Sequence, residues 1–450
     1  MSRIRIIITI IVVVLATLLT GCTGKEPNEI AYVVALGIDS TDDDNYKITI
    51  QYANTTQISG GASESGGKAG SEIVDNVTIE APNIYAGVGL ANNIVSKSFS
   101  MSHAKLIVFS KEIAEKGVKD MIETLVRSEE IRPDVFIAVA NTTANDYLTS
   151  VNPEMEVNPA QYYQLIYQKN QLVGIPDGQL REFFTGLYTD NYDSILPVAG
   201  VIEGAGGNSQ NDDKRQSKDG QNEGSEGISE SLDSFESKSS DDKDENEKEK
   251  DAEKNTSKYE YDIKNYVGGE TAIEKKNKAE AIGAAVFEND KMVGELCEVE
   301  TEICKILKGD YTYCYLTYYN NDTPDIPITV KTTQQKKPKY KIDTDKKTVD
   351  IELYIESDLY SLPADYNVEN KIEDFERDVA NYTSSACTEF INNFTKKYNS
   401  DILKLNEKVK YKFLTNNQYN WFKKNVGWSE YKFSVCTNFK VRRTGLIVRE

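Results

Sequence analysis

Histidine is nearly missing from this chain: His103 is the only one in 450 residues. A multi-histidine metal centre is therefore excluded, and a Ser/His/Asp relay would have to run through His103. Cysteine is sparse as well. Six cysteines are too few to build a fold of this length on disulfides. There is no Cys-x-x-Cys pair, no Gly-x-Ser-x-Gly elbow and no phosphate-cradling Gly-x-x-x-x-Gly-Lys-Ser/Thr loop. Gly87-x-Gly89 lacks the third glycine of a dinucleotide site and reads as helix material in close packing. Basic residues are in deficit, 52 against 72 acidic, for a net charge of −20. That balance excludes a broad nucleic-acid surface and adsorption to anionic lipid by overall charge. No cofactor or metal is expected, and no catalytic constellation is present.

Long apolar runs are missing too, with one exception at the start. Arg3 and Arg5 precede Ile6–Leu19, a run of 14 residues broken only by Thr9, Ala16 and Thr17. Such a run is short for a spanning helix and suits a signal peptide. It ends in Leu19-Thr20-Gly21-Cys22, which resembles the bacterial lipobox. The resemblance implies cleavage between Gly21 and Cys22 and lipidation of Cys22. The mature chain would lose two arginines and carry −22.

The acidity is uneven. Glu203–Lys258 holds 17 acidic and 9 basic residues, a local charge of −8, with only Ile228, Leu232 and Phe235 as large apolar side chains. A segment of this composition cannot bury enough surface to offset its ordering entropy, and a disordered acidic linker is predicted. The expected organisation is a signal peptide over 1–21, a domain or domains over 22–202, the linker over 203–258 and a domain over 259–450.

Either side of the linker, apolar spacing switches repeatedly between periods of two and of three to four. Ile30–Asp39 and Ile48–Tyr52 read as a hairpin, Ile73–Ile79 as a third strand, and Asn83–Lys97 as a helix on Ile84, Val88, Ala91 and Val95. Lys105–Phe109 is a predicted strand. Ser110 caps a helix carrying Ile113, Val118, Met121, Ile122 and Leu125. Asp134–Ala140 is a predicted strand, and helices are predicted at Asn158–Leu172 and Gln179–Tyr188. After the linker, Ala279–Glu288 reads as a strand, Gly294–Lys308 as a helix, Tyr311–Tyr319 and Val349–Ile355 as strands. Lys336-Lys337-Pro338-Lys339 reads as an exposed turn. Asn367–Lys397 is the longest predicted helix, its face of Ile372, Phe375, Val379, Tyr382, Ala386, Phe390 and Phe394 suited to packing on a sheet. Phe433–Val441 closes the series. The fold class is α+β, two to three mixed α/β domains with mixed sheets. Cys297 and Cys304 should share a helix face. Without Cys22, five cysteines remain, expected mainly as small buried hydrophobes.

Several motifs in order carry a family resemblance. They are Glu29-Ile30-Ala31 leading to Gly37-Ile38-Asp39, Ser102-His103-Ala104-Lys105, and Glu129-Glu130-Ile131-Arg132. After the linker come Gly283-Ala284-Ala285-Val286-Phe287 and Met292-Val293-Gly294-Glu295-Leu296. Tyr398-Asn399-Ser400-Asp401-Ile402-Leu403, Trp421, Trp428 and Arg442-Arg443-Thr444-Gly445-Leu446 complete the set. The chain resembles the Ger(x)C family, the lipoprotein C subunits of spore germinant receptors. The resemblance implies a non-enzymatic subunit, lipid-anchored through Cys22 to the outer face of the inner spore membrane. Its partners would be the integral-membrane A and B subunits. Two departures stand out: Thr23-Gly24 where the family often has Trp-Asp, and the length of the acidic insert, which implies loosely coupled halves. The alternative is a solute-binding lipoprotein of a transporter, which should show two similar lobes joined by short hinges.

Overall fold

A computed structural model describes residues 3–10, 29–43, 45–53, 74–152, 158–168, 174–189, 191–202, 267–271, 277–320, 323–361, 371–398 and 400–444. The lipobox and the acidic stretch Glu203–Lys258 lie outside the described residues. Residues 3–10 are helical. Among the described residues no helix is long and apolar enough to cross a membrane.

The larger sheet begins with the predicted hairpin. Strands β1 (Ile30–Ser40) and β2 (Tyr46–Ala53) pair antiparallel, with Leu36 opposite Ile50 and Ile38 opposite Ile48. Strand β3 (Val74–Ala81) adds to β2, and the short β4 (Ser98–Ser100) runs parallel to the start of β1. On the other side of β1 lie three parallel strands: β5 (Leu106–Ser110), β6 (Phe136–Ala140) and β7 (Ile195–Val201). Strands β8 (Ala279–Glu288) and β9 (Lys291–Leu296) extend it antiparallel, giving the order β3-β2-β1-β5-β6-β7-β8-β9.

Helices cover both faces, so the central strands are apolar throughout rather than alternating. Ile107 and Phe109 of β5 enter a core with α1 (Ile84–Ile94), α2 (Lys111–Lys116), α3 (Lys119–Val126) and α6 (Leu180–Thr189). Leu106 and Val108 enter a second core with α4 (Ala144–Ser150) and α5 (Pro159–Tyr167). Gly87 is tightly packed, since a Cβ there would lie 2.6 Å from Ile48, whereas Gly89 faces open space.

The smaller sheet has the order β10 (Cys314–Asn320), β11 (Thr323–Asp343), β12 (Thr348–Ser361) and β13 (Lys432–Arg443). The first three pair antiparallel, and β13 lies parallel to β12. Helix α8 (Ile372–Lys397) packs on this sheet as its apolar spacing predicts, burying Phe375, Val379, Tyr382, Phe390 and Phe394. Its polar side chains also close the free edge of β13: Asn392 Oδ1 accepts from Phe433 N (3.1 Å), Thr388 Oγ1 from Val435 N (3.0 Å) and Ser384 Oγ from Thr437 N (2.9 Å). A four-residue step on a helix is about 6 Å, close to a two-residue step on a strand, so the two ladders stay in phase. Both sheets mix parallel and antiparallel pairs, the α+β architecture that the changing periodicity predicts.

Some expectations fail locally. The single helix expected after Ser110 is broken at Gly117, which has φ +123°. The β8–β9 turn intrudes there, with Asp290 O accepting from Val118 N at 3.0 Å. Gly294–Leu296 belongs to β9, and helix α7 (Glu298–Lys308) starts only after Cys297. The expected turn at Lys336–Lys339 lies inside β11, where the register shifts on both sides of Lys336; a proline lacks the amide that an unbroken ladder needs. Helices α4, α9 (Leu405–Val409) and α10 (Asn416–Asn425) had no counterpart in the sequence reading.

Loose coupling of the halves is also overturned. Strand β7, before the acidic insert, pairs with β8, after it, from Ile195 opposite Val286 to Val201 opposite Ala279. The sheet therefore runs straight through from one half to the other.

Candidate functional site at the seam of the two halves

The seam is organised around two aspartates 208 residues apart. Asp193 follows α6 and precedes β7. Its Oδ1 accepts from Asn289 N in the β8–β9 turn, and its Oδ2 from Asp401 N, both at 2.8 Å. Asp193 N donates in return to Asp401 O at 3.2 Å. Asp401 then caps α9, its two oxygens accepting from Leu405 N and Asn406 N at 2.8 Å each. Burial pushes the Asp401 carboxyl up to about 7; the two amide bonds oppose this and the Asp193 charge adds to it. Ser400 donates to Phe287 O at 2.9 Å.

Lysines clasp the same joint. Lys404 has a left-handed backbone, φ 57°, and its ammonium lies 4.1 Å from the Tyr192 ring centroid and 2.5 Å from Glu182 Oε1. Burial alone would raise the Glu182 carboxyl, but the Lys404 ammonium outweighs it and the group is held below its ordinary value. Lys423 of α10 donates to Thr189 O at 3.2 Å. Trp428 Nε1 donates to Asn406 Oδ1 at 3.2 Å.

A cavity of about 620 Å³ opens beside these groups, walled by Tyr192, Asp193, Asp401, Asn406, Lys423 and Trp428 among others. Among the described residues its lining contains no serine, cysteine or histidine. Of its walls, Asp193, Asp401, Asn406 and Lys423 also hold the joint, through the bonds given above. Among the described residues, no group of three or more His, Cys, Asp or Glu is arranged to hold a metal.

The structure explains most of the motifs by packing. A Cβ on Gly37 would lie 3.0 Å from Leu148 and 3.1 Å from Ala144. Buried Asp39 caps α4, accepting from Ala144 N at 2.6 Å and Asn145 N at 3.0 Å. Glu130 accepts from Met101 N at 2.7 Å, which fixes the Ser102-His103 turn. His103 itself is exposed and stands edge-on to Tyr32, ring centroids 4.9 Å apart. Gly294 and Tyr398, in separate motifs, meet: a Cβ on the glycine would lie 2.4 Å from the tyrosine ring. Asp401 and Trp428 reach the cavity, while Trp421 points to solvent. Gly21 and Cys22, the predicted cleavage and lipidation residues, lie outside the described residues.

The five remaining cysteines are free thiols. Cys304, Cys314 and Cys387 are buried, Cys297 is half-buried at the start of α7 and Cys436 is exposed. Burial pushes the Cys297 and Cys304 thiols up to about 11 and Cys387 up to about 12, so these three are unreactive near neutral pH. Sequence reasoning missed Asp193, Glu182, Lys404 and Asn406. Their partners are distant in the chain, and no local spacing marks them.

Comparison with known proteins gives the seam its context. Residues 24–201 match the family model described as the spore germination protein N-terminal domain, and residues 282–445 match the one described as spore germination B3/GerAC like, C-terminal. The chain belongs to the GerAC family of spore germination proteins. Spore germination protein KC of Bacillus subtilis (strain 168) is 26% identical over 176 residues, covering 36% of this chain and 43% of that protein. The putative spore germination protein YfkR of the same organism is 28% identical over 145 residues, 32% of this chain and 37% of the relative. Each match takes in less than half of the relative. The solved structure of the GerBC protein aligns over 90% of this chain and 96% of that one, at 14% identity and a TM-score of 0.48. The first GerAC segment ends at Val201, the last residue of β7, and the second begins at Ile282 inside β8. In this chain the two family segments are therefore joined by hydrogen bonds between neighbouring strands.

Proposed function

We propose that this chain is a lipid-anchored, non-enzymatic C-type subunit of a nutrient germinant receptor. It would act as scaffold or coupling element beside integral-membrane A and B subunits on the outer face of the inner spore membrane. The observation that carries this reading is the match of both GerAC segments, in order, on one continuous body. The Leu19-Thr20-Gly21-Cys22 lipobox supports the anchor. The proposed organisation is a signal peptide over 1–21, family segments over 22–202 and 259–450, and an acidic spacer over 203–258.

The physical logic is confinement. Two or three acyl chains on Cys22, each buried methylene contributing about 0.8 kcal/mol, hold a protein at a bilayer stably. Tethering raises the body's effective concentration near its membrane partners, so modest docking surfaces suffice. The test has two arms. Cys22→Ala should move the protein from the membrane pellet to the soluble fraction; retention in the pellet after a salt wash sinks the anchor. Deletion, in a strain with no redundant receptor, should abolish germination with at least one nutrient. Unchanged responses to every nutrient sink the receptor role.

A further inference from the structure

Among the described residues of the C-terminal half, the most exposed large apolar side chains lie on one short segment. Tyr411 is 78% exposed, Leu414 94% and Trp421 64%. They sit on the 3-10 turn Lys410–Lys412, the following loop and α10. The packing beneath is made by other rings: Phe413 lies tilted against Tyr419 (5.8 Å) and Phe422 (4.9 Å), and Phe422 meets Trp428 edge-on (5.9 Å). Helical geometry turns Trp421 away from the buried Tyr419 and Phe422 on either side of it. The platform is fixed from below and its outer side chains face water.

The same segment reverses the charge of the protein. Lys404–Asn425 contains six lysines and one acidic residue, Glu407, in a chain of net charge −20. Lys404 is neutralised by Glu182, and Lys408 turns inward to Leu403 O. Lys410, Lys412 and Lys424 are exposed on the same segment as the three apolar side chains, and Lys423 is half-buried; Lys410 and Lys423 lie 5.7 and 5.0 Å from the Tyr419 ring centroid. Lys412 and Lys423 donate to the carbonyls of Ile342 and Thr189, which leaves their charge in place.

We propose that Lys410–Lys424 is a docking patch for an anionic bilayer, with Trp421, Leu414 and Tyr411 entering the headgroup region and the lysines meeting lipid phosphates. A segment that exposes aromatic and aliphatic side chains together with lysines is suited to that interface. The rest of the acidic surface is repelled by an anionic membrane, so this patch selects one orientation of the body. The proposal rests on the membrane placement proposed above, and adds a second contact to the Cys22 tether.

The chain has two tryptophans, which makes the test direct. The lipidated mature protein is reconstituted into phosphatidylglycerol vesicles with brominated acyl chains, which quench nearby indoles. Trp428→Phe leaves Trp421 as the reporter, and Trp421→Phe leaves buried Trp428. Lone Trp421 should be quenched roughly threefold more than lone Trp428, and the excess should vanish in brominated phosphatidylcholine or at about 1 M salt. Lys410→Glu with Lys424→Glu, both at exposed positions, should abolish it without changing the melting temperature. Equal quenching of the two tryptophans in phosphatidylglycerol overturns the patch, as does an excess that persists in phosphatidylcholine. A blue shift of Trp421 on concentrating the protein without vesicles also overturns it, in favour of a second copy as occupant. Flotation with the vesicles reports the acyl tether separately, so failure of the patch and failure of the anchor are distinguishable.

Discussion

Thr388 gives α8 a role that its apolar face does not reveal. The amide edge of β13 is closed by side chains, and each one removed leaves a half-buried N–H without its acceptor. Thr388→Val keeps the shape of the side chain and removes only the oxygen that accepts from Val435 N. The expected loss is about 1–3 kcal/mol, the cost of stranding one backbone donor. Urea unfolding with an unchanged midpoint would show that the ladder contributes nothing. Gly294 makes a steric counterpart. Gly294→Ala puts a methyl against the Tyr398 ring and should destabilise by about 1–3 kcal/mol, as overpacking does. Gly294→Ala combined with Tyr398→Leu should recover part of that loss; no recovery would mean the clash lies elsewhere.

At the scale of elements, legibility followed how much of the pattern was local. Strand β1 and helix α8 were readable because a run of apolar residues and a three-and-four spacing each contain their own answer. Helix α4 was not, since it has only seven residues and is set by Thr143 and Asp39 capping it from outside. Helix α10 is mostly polar and buries only Tyr419 and Phe422, which gives no usable period. Strand β11 hides behind Pro338 and its lysines. The Ser400–Asn406 loop is the extreme case. Its order depends on Asp193, which no nearby residue announces, although Asp401 itself belongs to the Tyr398–Leu403 motif. That loop has a testable signature. An aspartate in an unfolded chain titrates at about 3.9, and burial in the fold raises Asp401 to about 7. Between those values the folded chain keeps a proton that the unfolded chain has released. The contribution of Asp401 to stability is thus full below about 4 and is lost as pH rises through about 7. The unfolding free energy of the parent protein minus that of Asp401→Asn should fall across this window and level off above it. A difference independent of pH would mean that the carboxyl is not held in its protonated form.

At the scale of the molecule, the acidic insert interrupts the sequence without interrupting the sheet. Strands β7 and β8 flank it and pair along their length. Further bonds cross the same boundary: Lys305 Nζ to Ile175 O at 3.0 Å, Asn141 Nδ2 to Gly268 O at 2.5 Å and Gly283 N to Gly174 O at 2.8 Å. The covalent connection through 203–258 is therefore not what keeps the halves together. A protease site placed in the middle of Glu203–Lys258 allows the connection to be cut after folding. The two fragments should co-elute on gel filtration in native buffer, melt in one transition and separate only in denaturant. Refolding from the separated fragments should be slower and concentration-dependent, since association replaces loop closure. Fragments that part in native buffer would mean that the halves are independent bodies, and β7 and β8 would not be partners in solution. Co-elution would mean instead that the β7–β8 backbone hydrogen bonds and the Asp193–Asp401 joint hold the halves as one body without the covalent connection.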